Sequence, residues 1–481
     1  MDSLTRTNFP LLSEEERRFV VAHGDGNPRW AEVLGRRVQD ASGDAVAAEL
    51  IAANDIEQFL TYVLPEGRDF FIASALALFD RVGFDEELAP DLEALAEFFD
   101  TDVDDLHRVA QSLEQAGLLV RRGRYRSVVP QPLAVVLAAA AWETNGEKIV
   151  SQLIPQLDDN LALYLFRRLA ELGGFESSDG VLQQLLSVNG PFASLESIER
   201  DGTMRLLTQL AIALPEPVMR HLGELVELAS EQELRDLSGL RRDLVWTLEK
   251  LSWHTATFNR AASCLLKLSH AEIESYGNNA TGTWLALFKP LLPTTAAAPE
   301  SRLRYLNALA ASERKEDRLM ATAGFSTAIE LGSRATFISA ELQGGAIVEA
   351  RGRPETWGEV FAYQESAVRE LLLLAEDGEL PVATAATDSL IGSIHRLATT
   401  PLWNVLEEGL IGLTAAHRLA RRELRGLLAR YERIGPTNTE NDAGDEALVR
   451  ALKGLQERLP EARGLELLEA SMEQNLSLIH I

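Results

Sequence analysis

Gly117-Leu118-Leu119-Val120-Arg121-Arg122-Gly123-Arg124-Tyr125-Arg126-Ser127-Val128-Val129 decides the fold, because here short apolar runs around a glycine-marked corner replace helical periodicity. Gly117-Leu118-Leu119-Val120 and Tyr125-Arg126-Ser127-Val128-Val129 are predicted as strands, joined by Arg121, Arg122, Gly123 and Arg124. Alternation is expected to put Leu118 and Val120 on one face. Upstream, residues 70–82 carry apolar side chains at Phe71, Ala75, Leu78 and Phe79, and residues 90–99 and 103–116 follow with comparable helical spacing. Three helices closed by a hairpin, within residues 66–140, make the winged-helix plan.

Outward from this segment the chain reads as helix. Leu, Ala, Glu and Arg dominate while aromatic residues make up 6% of the 481, so intrinsic propensity favours an all-α protein with one small hairpin. Residues 11–62 read as helical: Ser13 and Glu16 have the spacing of a capping box before Phe19, Val20 and Val21. A corner at Gly24-Asp25-Gly26-Asn27-Pro28 follows, with Pro28 near the first turn of the next helix. Residues 147–470 form a series of amphipathic helices punctuated by prolines such as Pro215, Pro290, Pro354 and Pro401. Val218, Leu222, Leu225 and Val226 share one face there, as do Val368, Leu371, Leu372 and Ala375. No consensus recurs at a fixed period, so an α-solenoid-like array is inferred from the succession of amphipathic helices alone. Residues 435–444 are polar and breaker-rich and are expected to form an exposed loop.

Composition narrows the function classes. A formal net charge of −27 repels nucleic-acid backbone and anionic lipid. The single cysteine, Cys264, lies in an apolar run, which excludes an intrachain disulfide and reads as a small buried hydrophobe. No apolar stretch of about 18 residues occurs and the first ten residues lack the core of a secretory signal, so the chain reads as cytoplasmic. None of the eight histidines pairs with another at helical metal-site spacing, and no nucleophile elbow or credible triad is found, so no metal site and no enzymatic activity are expected.

Three further features invite a functional reading. Arg121, Arg122, Arg124 and Arg126 make the densest basic cluster, but the third helix of the winged-helix plan opens amid Asp100, Asp102, Asp104 and Asp105, which would face phosphate. A solvated or salt-bridging wing is therefore expected. Residues 276–284, polar and glycine-flanked, lead into Trp284, Leu287 and Phe288 and read as an inter-repeat turn. Residues 312–318 carry mixed charge and read as a solvated helix face with i,i+4 pairs.

The order of helices, Gly-Asn-Pro-Arg corner, winged helix and helical array resembles the STAND class of signal-transduction NTPases, relatives of the NB-ARC proteins. On that resemblance residues 1–65 are the remnant of a helical lid, and Gly26, Asn27 and Pro28 match the Gly-x-Pro motif that lies near bound ATP or ADP in the class. The phosphate-cradling loop ending in Gly-Lys-Ser or Gly-Lys-Thr is missing, so no cofactor is expected on this chain and nucleotide belongs to an intact parent. The Met-His-Asp motif that follows the wing in many NB-ARC proteins has no counterpart in Val129-Pro130-Gln131-Pro132-Leu133. The chain is accordingly expected to be a fragment without its NTPase domain. Residues 476–481, Leu-Ser-Leu-Ile-His-Ile, resemble translated sequencing adapter and are expected to be an artefactual tail.

The resemblance implies a non-catalytic regulatory fragment of bacterial defence or signalling. Its winged helix would serve as conformational relay, and its array would recognise a protein or small-molecule ligand. The missing NTPase domain is an implied partner, oligomerisation belongs to the intact parent, and neither nucleic acid nor membrane is an expected partner. The alternative is a winged-helix transcription regulator with a helical effector domain. An enzyme of new type ranks third and would require converging carboxylates of perturbed pKa in a cleft.

Overall fold

The computed structural model describes residues 2–24, 28–53, 58, 67–85, 89–115, 117–172, 178–237, 239–330, 349–416, 424, 425, 428 and 442–459. The chain is mostly helical and carries one small antiparallel sheet. Among the described residues no helix is long and apolar enough to cross a membrane. Contacts divide the chain into two compact units. The first includes Met1–Leu228 and Leu237–Thr247; the second comprises Ala229–Asp236, Leu248–Ala340 and Glu349–Ile481.

The first unit opens with α1 (Asp2–Asn8), α2 (Glu14–His23), α3 (Pro28–Asp40) and α4 (Ala45–Ala52). The capping box forms as read: the Ser13 amide donates to Glu16 Oε2 at 2.6 Å and the Glu16 amide donates to Ser13 Oγ at 3.2 Å. Pro28 is the first residue of α3. Helix α1 was not foreseen; it buries Thr5 and packs on α2 and α3.

Next come α5 (Arg68–Ala77), β1 (Val82–Gly83), α6 (Ala89–Phe98), α7 (Val103–Gln115), β2 (Leu119–Arg122) and β3 (Tyr125–Val128). The strands lie in the order β1-β3-β2, with Val82 opposite Arg126 and Leu119 opposite Val128. The hairpin reading needs three corrections. Val82 is not the end of a helix but the start of a third strand, because α5 stops at Ala77 and Asp80 and Arg81 lead the chain into β1. Arg121 and Arg122 belong to β2, and only Gly123 and Arg124 form the connection; an edge strand accepts arginine because its exposed side chains stay in water. Gly123 has φ +63°, the positive value a two-residue II′-type loop requires at its first position. Leu118 and Val120 do not form the buried pair: Leu118 and Leu119 are buried and Val120 is half-buried. Leu118 goes inside for a helical reason, since its amide donates to Leu113 O at 2.8 Å and closes the end of α7, with Gly117 at φ +75°.

Helix α8 (Gln131–Lys148) packs along α5 and runs through a π turn at Ile149–Leu153 and a 3-10 turn at Ile154–Gln156. Then follow α9 (Asp159–Leu172), α10 (Ser178–Leu185), α11 (Leu195–Arg200), α12 (Met204–Ala213) and α13 (Pro215–Leu228). α9 packs chiefly on α12, and Phe79, Trp142, Phe166 and Phe192 are fully buried in this unit. Burial of each such side chain contributes about 1.5–3 kcal/mol.

The second unit holds α14 (Glu231–Asp236) and, after α15 (Arg241–Leu251), which spans the division of the chain, α16 (Phe258–His270), α17 (Ala280–Ala286), α18 (Pro299–Ala310) and α19 (Lys315–Ala328). α20 (Trp357–Leu374), α21 (Leu380–Leu397), α22 (Trp403–Ala416) and α23 (Asp442–Arg458) complete it. Each of α18 to α20 packs on its neighbour and α19 also packs on α21. Trp284, Phe288 and Tyr305 form the aromatic centre, with Trp284 and Phe288 rings 4.6 Å apart. A Cβ on Gly324 would come within 2.5 Å of Leu306 Cδ2, so glycine lets α19 approach this centre.

Two sequence readings are revised here. Residues 312–318 are solvated at Glu313, Arg314, Lys315 and Glu316, but residues 312–314 precede α19, and Arg318 turns inward: it donates to the carbonyls of Ser312 and Glu313 at 2.8 and 3.0 Å and pairs with Asp377 at 2.8 Å, both side chains being largely buried. Arg318 is thus a loop clamp, its guanidinium donors serving carbonyls that precede α19. Residues 442–444 lie in α23 rather than in a loop; residues 435–441, like the tail 476–481, lie outside the described residues.

Candidate functional site

The arrangement best suited to a function lies in the first unit, where the sheet segment meets α9. Asp80 and Arg81, between α5 and β1, face Tyr164, Arg167, Arg168 and Glu171 of α9. The i, i+3, i+4, i+7 spacing of these four puts them along one side of a helix whose Leu165 and Leu169 are buried. The Asp80 amide donates to Tyr164 O at 3.0 Å, and the Arg168 guanidinium donates to Phe79 O at 3.5 Å. Arg168 is 3% exposed and pairs with Glu171. Burial pushes the Glu171 carboxyl above the usual range, against the opposing pull of Arg168.

Arg81 is held from both sides. Its Nε and Nη2 donate to Asp80 Oδ2 at 3.1 and 2.9 Å, and this hydrogen bonding raises its pKa further. The guanidinium carbon sits 5.0 Å from the Tyr164 ring centre and 6.0 Å from that of Tyr125 on β3. Those two rings meet edge to face at 5.8 Å. Burial, followed by the hydrogen bond with Tyr125, raises the Tyr164 hydroxyl. One cation thus touches an element from each side of the junction.

A second contact lies across β1. Asp91 on α6 is 8% exposed, and burial together with the Asp158 carboxylate pushes it up to about 6, against a hydrogen bond with the Gly83 backbone. Asp158 Oδ1 accepts the Leu161 amide at 2.7 Å and so caps α9. The junction is built from hydrogen bonds, a cation over aromatic rings and an edge-to-face ring pair, with apolar burial beneath it.

Of the predicted wing arginines one, Arg126, turns inward, and the opening of the predicted third helix pairs within the unit. Arg126 lies 2.7 Å from Glu114 of α7, and its guanidinium covers the Phe84 ring at 4.2 Å. Arg121 donates to Gly123 O at 3.1 Å, while Arg122 and Arg124 are exposed. At the opening of α7, Asp102 accepts the Asp105 amide at 2.7 Å. Asp105 pairs with Arg68 and with Arg108, and Arg108 reaches Asp69 at 3.5 Å. Of the carboxylates that would meet phosphate, Asp105 is thus tied to α5, while Asp102 and Asp104 stay exposed.

Of the lid motif, Gly26 and Asn27 lie outside the described residues, and Pro28 is exposed at the start of α3. The polar segment before Trp284 is a cap: Asn279 Oδ1 accepts the Gly282 amide at 2.8 Å, and Glu272 accepts the amides of Ala280 and Thr281 at 3.1 and 3.0 Å. Cys264 is buried on α16. His221 bonds Phe192 O at 2.8 Å and His270 bonds Asp317 at 3.0 Å, so both are packing residues. Among the described residues no group of three or more His, Cys, Asp or Glu could hold a metal ion.

Sequence reading missed Asp80, Arg81, Asp91, Asp158, Tyr164 and Arg168 as a set. The available signal was the polar stripe Tyr164-x-x-Arg167-Arg168-x-x-Glu171 on a helix with an apolar face, which carries no message until Asp80 and Arg81, far upstream in the chain, are brought against it. No protein-family model, no curated protein and no solved structure matches this chain.

Proposed function

We propose that this chain is a non-catalytic regulatory protein of the STAND signalling type, in which a winged helix at residues 66–140 relays a change of state between lid-like helices and a helical recognition array. The element order α5-β1-α6-α7-β2-β3, with sheet order β1-β3-β2, supports the winged-helix reading. The observation that carries the relay is the junction itself: Arg81, oriented by its ion pair with Asp80, lies over the Tyr164 ring of α9, the Asp80 amide donates to Tyr164 O, and Tyr125 of β3 meets Tyr164 edge to face. A polar, directional contact of this kind can be exchanged between two arrangements at lower cost than a packed apolar core. Nucleotide, in this reading, is held by a separate NTPase domain, and the array takes a protein or small-molecule ligand.

The alternative, a transcription regulator, is disfavoured by the acidic opening of α7, whose arginine neighbours are consumed within the unit. Hydrogen exchange tests the relay. Arg81→Ala is expected to raise exchange in β2, β3 and α9 together, whereas loosening confined to residues next to position 81 sinks the relay. Fluorescence anisotropy with mixed-sequence duplex DNA at physiological salt is expected to show no binding. Sub-micromolar binding that falls on mutation of Arg122 and Arg124 would hand the function to the alternative.

A further inference from the structure

Between α10 and α13, within the first unit, lies an open cleft of about 460 Å³, inside the size range of small-molecule sites. Its apolar wall is Leu182, Leu186 and Pro217, and its polar lining is Gln183 on α10 with Arg220, His221 and Glu224 on α13. Arg220 and Glu224 are four residues apart on one helix, yet they do not close on each other. Four other acid–arginine pairs at this spacing do close, Asp2–Arg6 at 3.0 Å, Glu32–Arg36 at 2.6 Å, Glu231–Arg235 at 3.6 Å and Glu365–Arg369 at 2.7 Å. In each of those the acid precedes the arginine, the favoured order; here the arginine comes first. Both charges are exposed, and among the described residues neither has an ion pair or hydrogen bond. His221 is oriented: Nε2 lies 2.8 Å from Phe192 O, and a carbonyl only accepts, so Nε2 carries a proton.

We propose that this cleft binds a small zwitterion with an apolar side chain, a free amino acid or a dipeptide. Arg220 takes the carboxylate, Glu224 the ammonium, and Leu182, Leu186 and Pro217 the side chain. The separation of the two charges along the helix, about 5–6 Å between Cβ atoms, suits two opposite charges on one short molecule and leaves a simple anion or cation beside an uncompensated like charge. The inference does not depend on the relay.

Calorimetric titration of the whole chain with leucine, leucinamide, N-acetylleucine and the dipeptide Leu-Leu tests it. Saturable binding of leucine or of Leu-Leu is expected, and leucine binding assigns the amino acid whereas Leu-Leu alone assigns the dipeptide. The amide and the acetylated form should bind at least about tenfold more weakly than leucine if leucine is the ligand, and the amide or acetyl form of Leu-Leu likewise if the dipeptide is. Arg220→Gln should erase the difference between acid and amide, and Glu224→Gln the difference between free and acetylated amine. Both side chains are exposed, so both variants should keep the parent's circular dichroism and melting curve. Binding unmoved by either substitution, or no saturation by either zwitterion up to about 10 mM, overturns the proposal.

Discussion

Replacing Arg302 by Met should loosen the second unit more than any surface change, and the magnitude follows from its surroundings. Arg302 on α18 is 0% exposed. Its guanidinium donates to Leu287 O at 3.3 Å, Lys289 O at 2.8 Å and Gly352 O at 2.8 Å, and lies 4.8 Å from the Tyr363 ring centre. Tyr363 in turn donates to Phe288 O at 2.9 Å. One side chain therefore serves the carbonyls that end α17, the loop after it and the segment that precedes α20. Burial lowers the Arg302 pKa, which shows the cost of keeping this charge inside. Each charged hydrogen bond contributes about 1.5–3 kcal/mol, giving a gross gain of roughly 5–9 kcal/mol. Desolvation of the cation offsets several kcal/mol of this. Met removes both terms but leaves three carbonyls short of a donor, so the net loss should be about 3 kcal/mol.

That loss corresponds to roughly a hundredfold rise in the opening equilibrium read by hydrogen exchange. The rise should appear in peptides covering α17, α18 and residues 349–353, while peptides from α5 to α9 serve as the internal control. Arg302→Lys should do no better, because a compact ammonium on a flexible stem cannot reach three carbonyls from the position of a planar fork. Exchange within twofold of the parent for Arg302→Met would refute the reasoning, since it would mean that desolvation cancels the hydrogen bonds.

Glu249, pushed up to about 7 from its usual 4.5 by burial, gives a pH-dependent prediction. The native state keeps this proton after the unfolded state has lost it, so the associated stability is present below about pH 4.5 and is lost as pH rises to about 7, up to about 3 kcal/mol in all. Glu249→Gln should match the parent at pH 4 and melt higher at pH 8; equal melting at both values would show that the carboxylate is solvated. Gly123→Val should cost about 1–3 kcal/mol in the β2–β3 hairpin through its positive φ alone, since no atom lies within 4 Å of the added Cβ. Gly392→Ala, also facing open space but inside α21, should instead stabilise by about 0.5–1 kcal/mol, and opposite signs for the two in thermal melts test the backbone argument.

The sequence was most legible where local chemistry decides local structure. Ser13 and Glu16 announced their cap because both partners lie within one turn, and Gly123 announced a hairpin because few residues accept its φ. Val218, Leu222 and Val226 announced a buried face because helical period and burial coincide. What was hidden is long-range. Val82–Gly83 is too short to show a period, and becomes a strand only because β3 presents its edge there. Arg302 looks like any arginine on a helix until the carbonyls of Lys289 and Gly352 converge on it. Arg81 and Tyr164 lie in segments that both read as ordinary helix, and only the fold makes them neighbours. The same division explains why the functional reading rests on the junction. Apolar contacts that build a core are many and interchangeable, so loss of one weakens the whole by degrees. The contacts between sheet and α9 are directional, and in the proposed relay one partner would be exchanged for another with both sides still folded. A relay needs contacts of the second kind, and among the described residues of the first unit they gather where Asp80 and Arg81 meet α9.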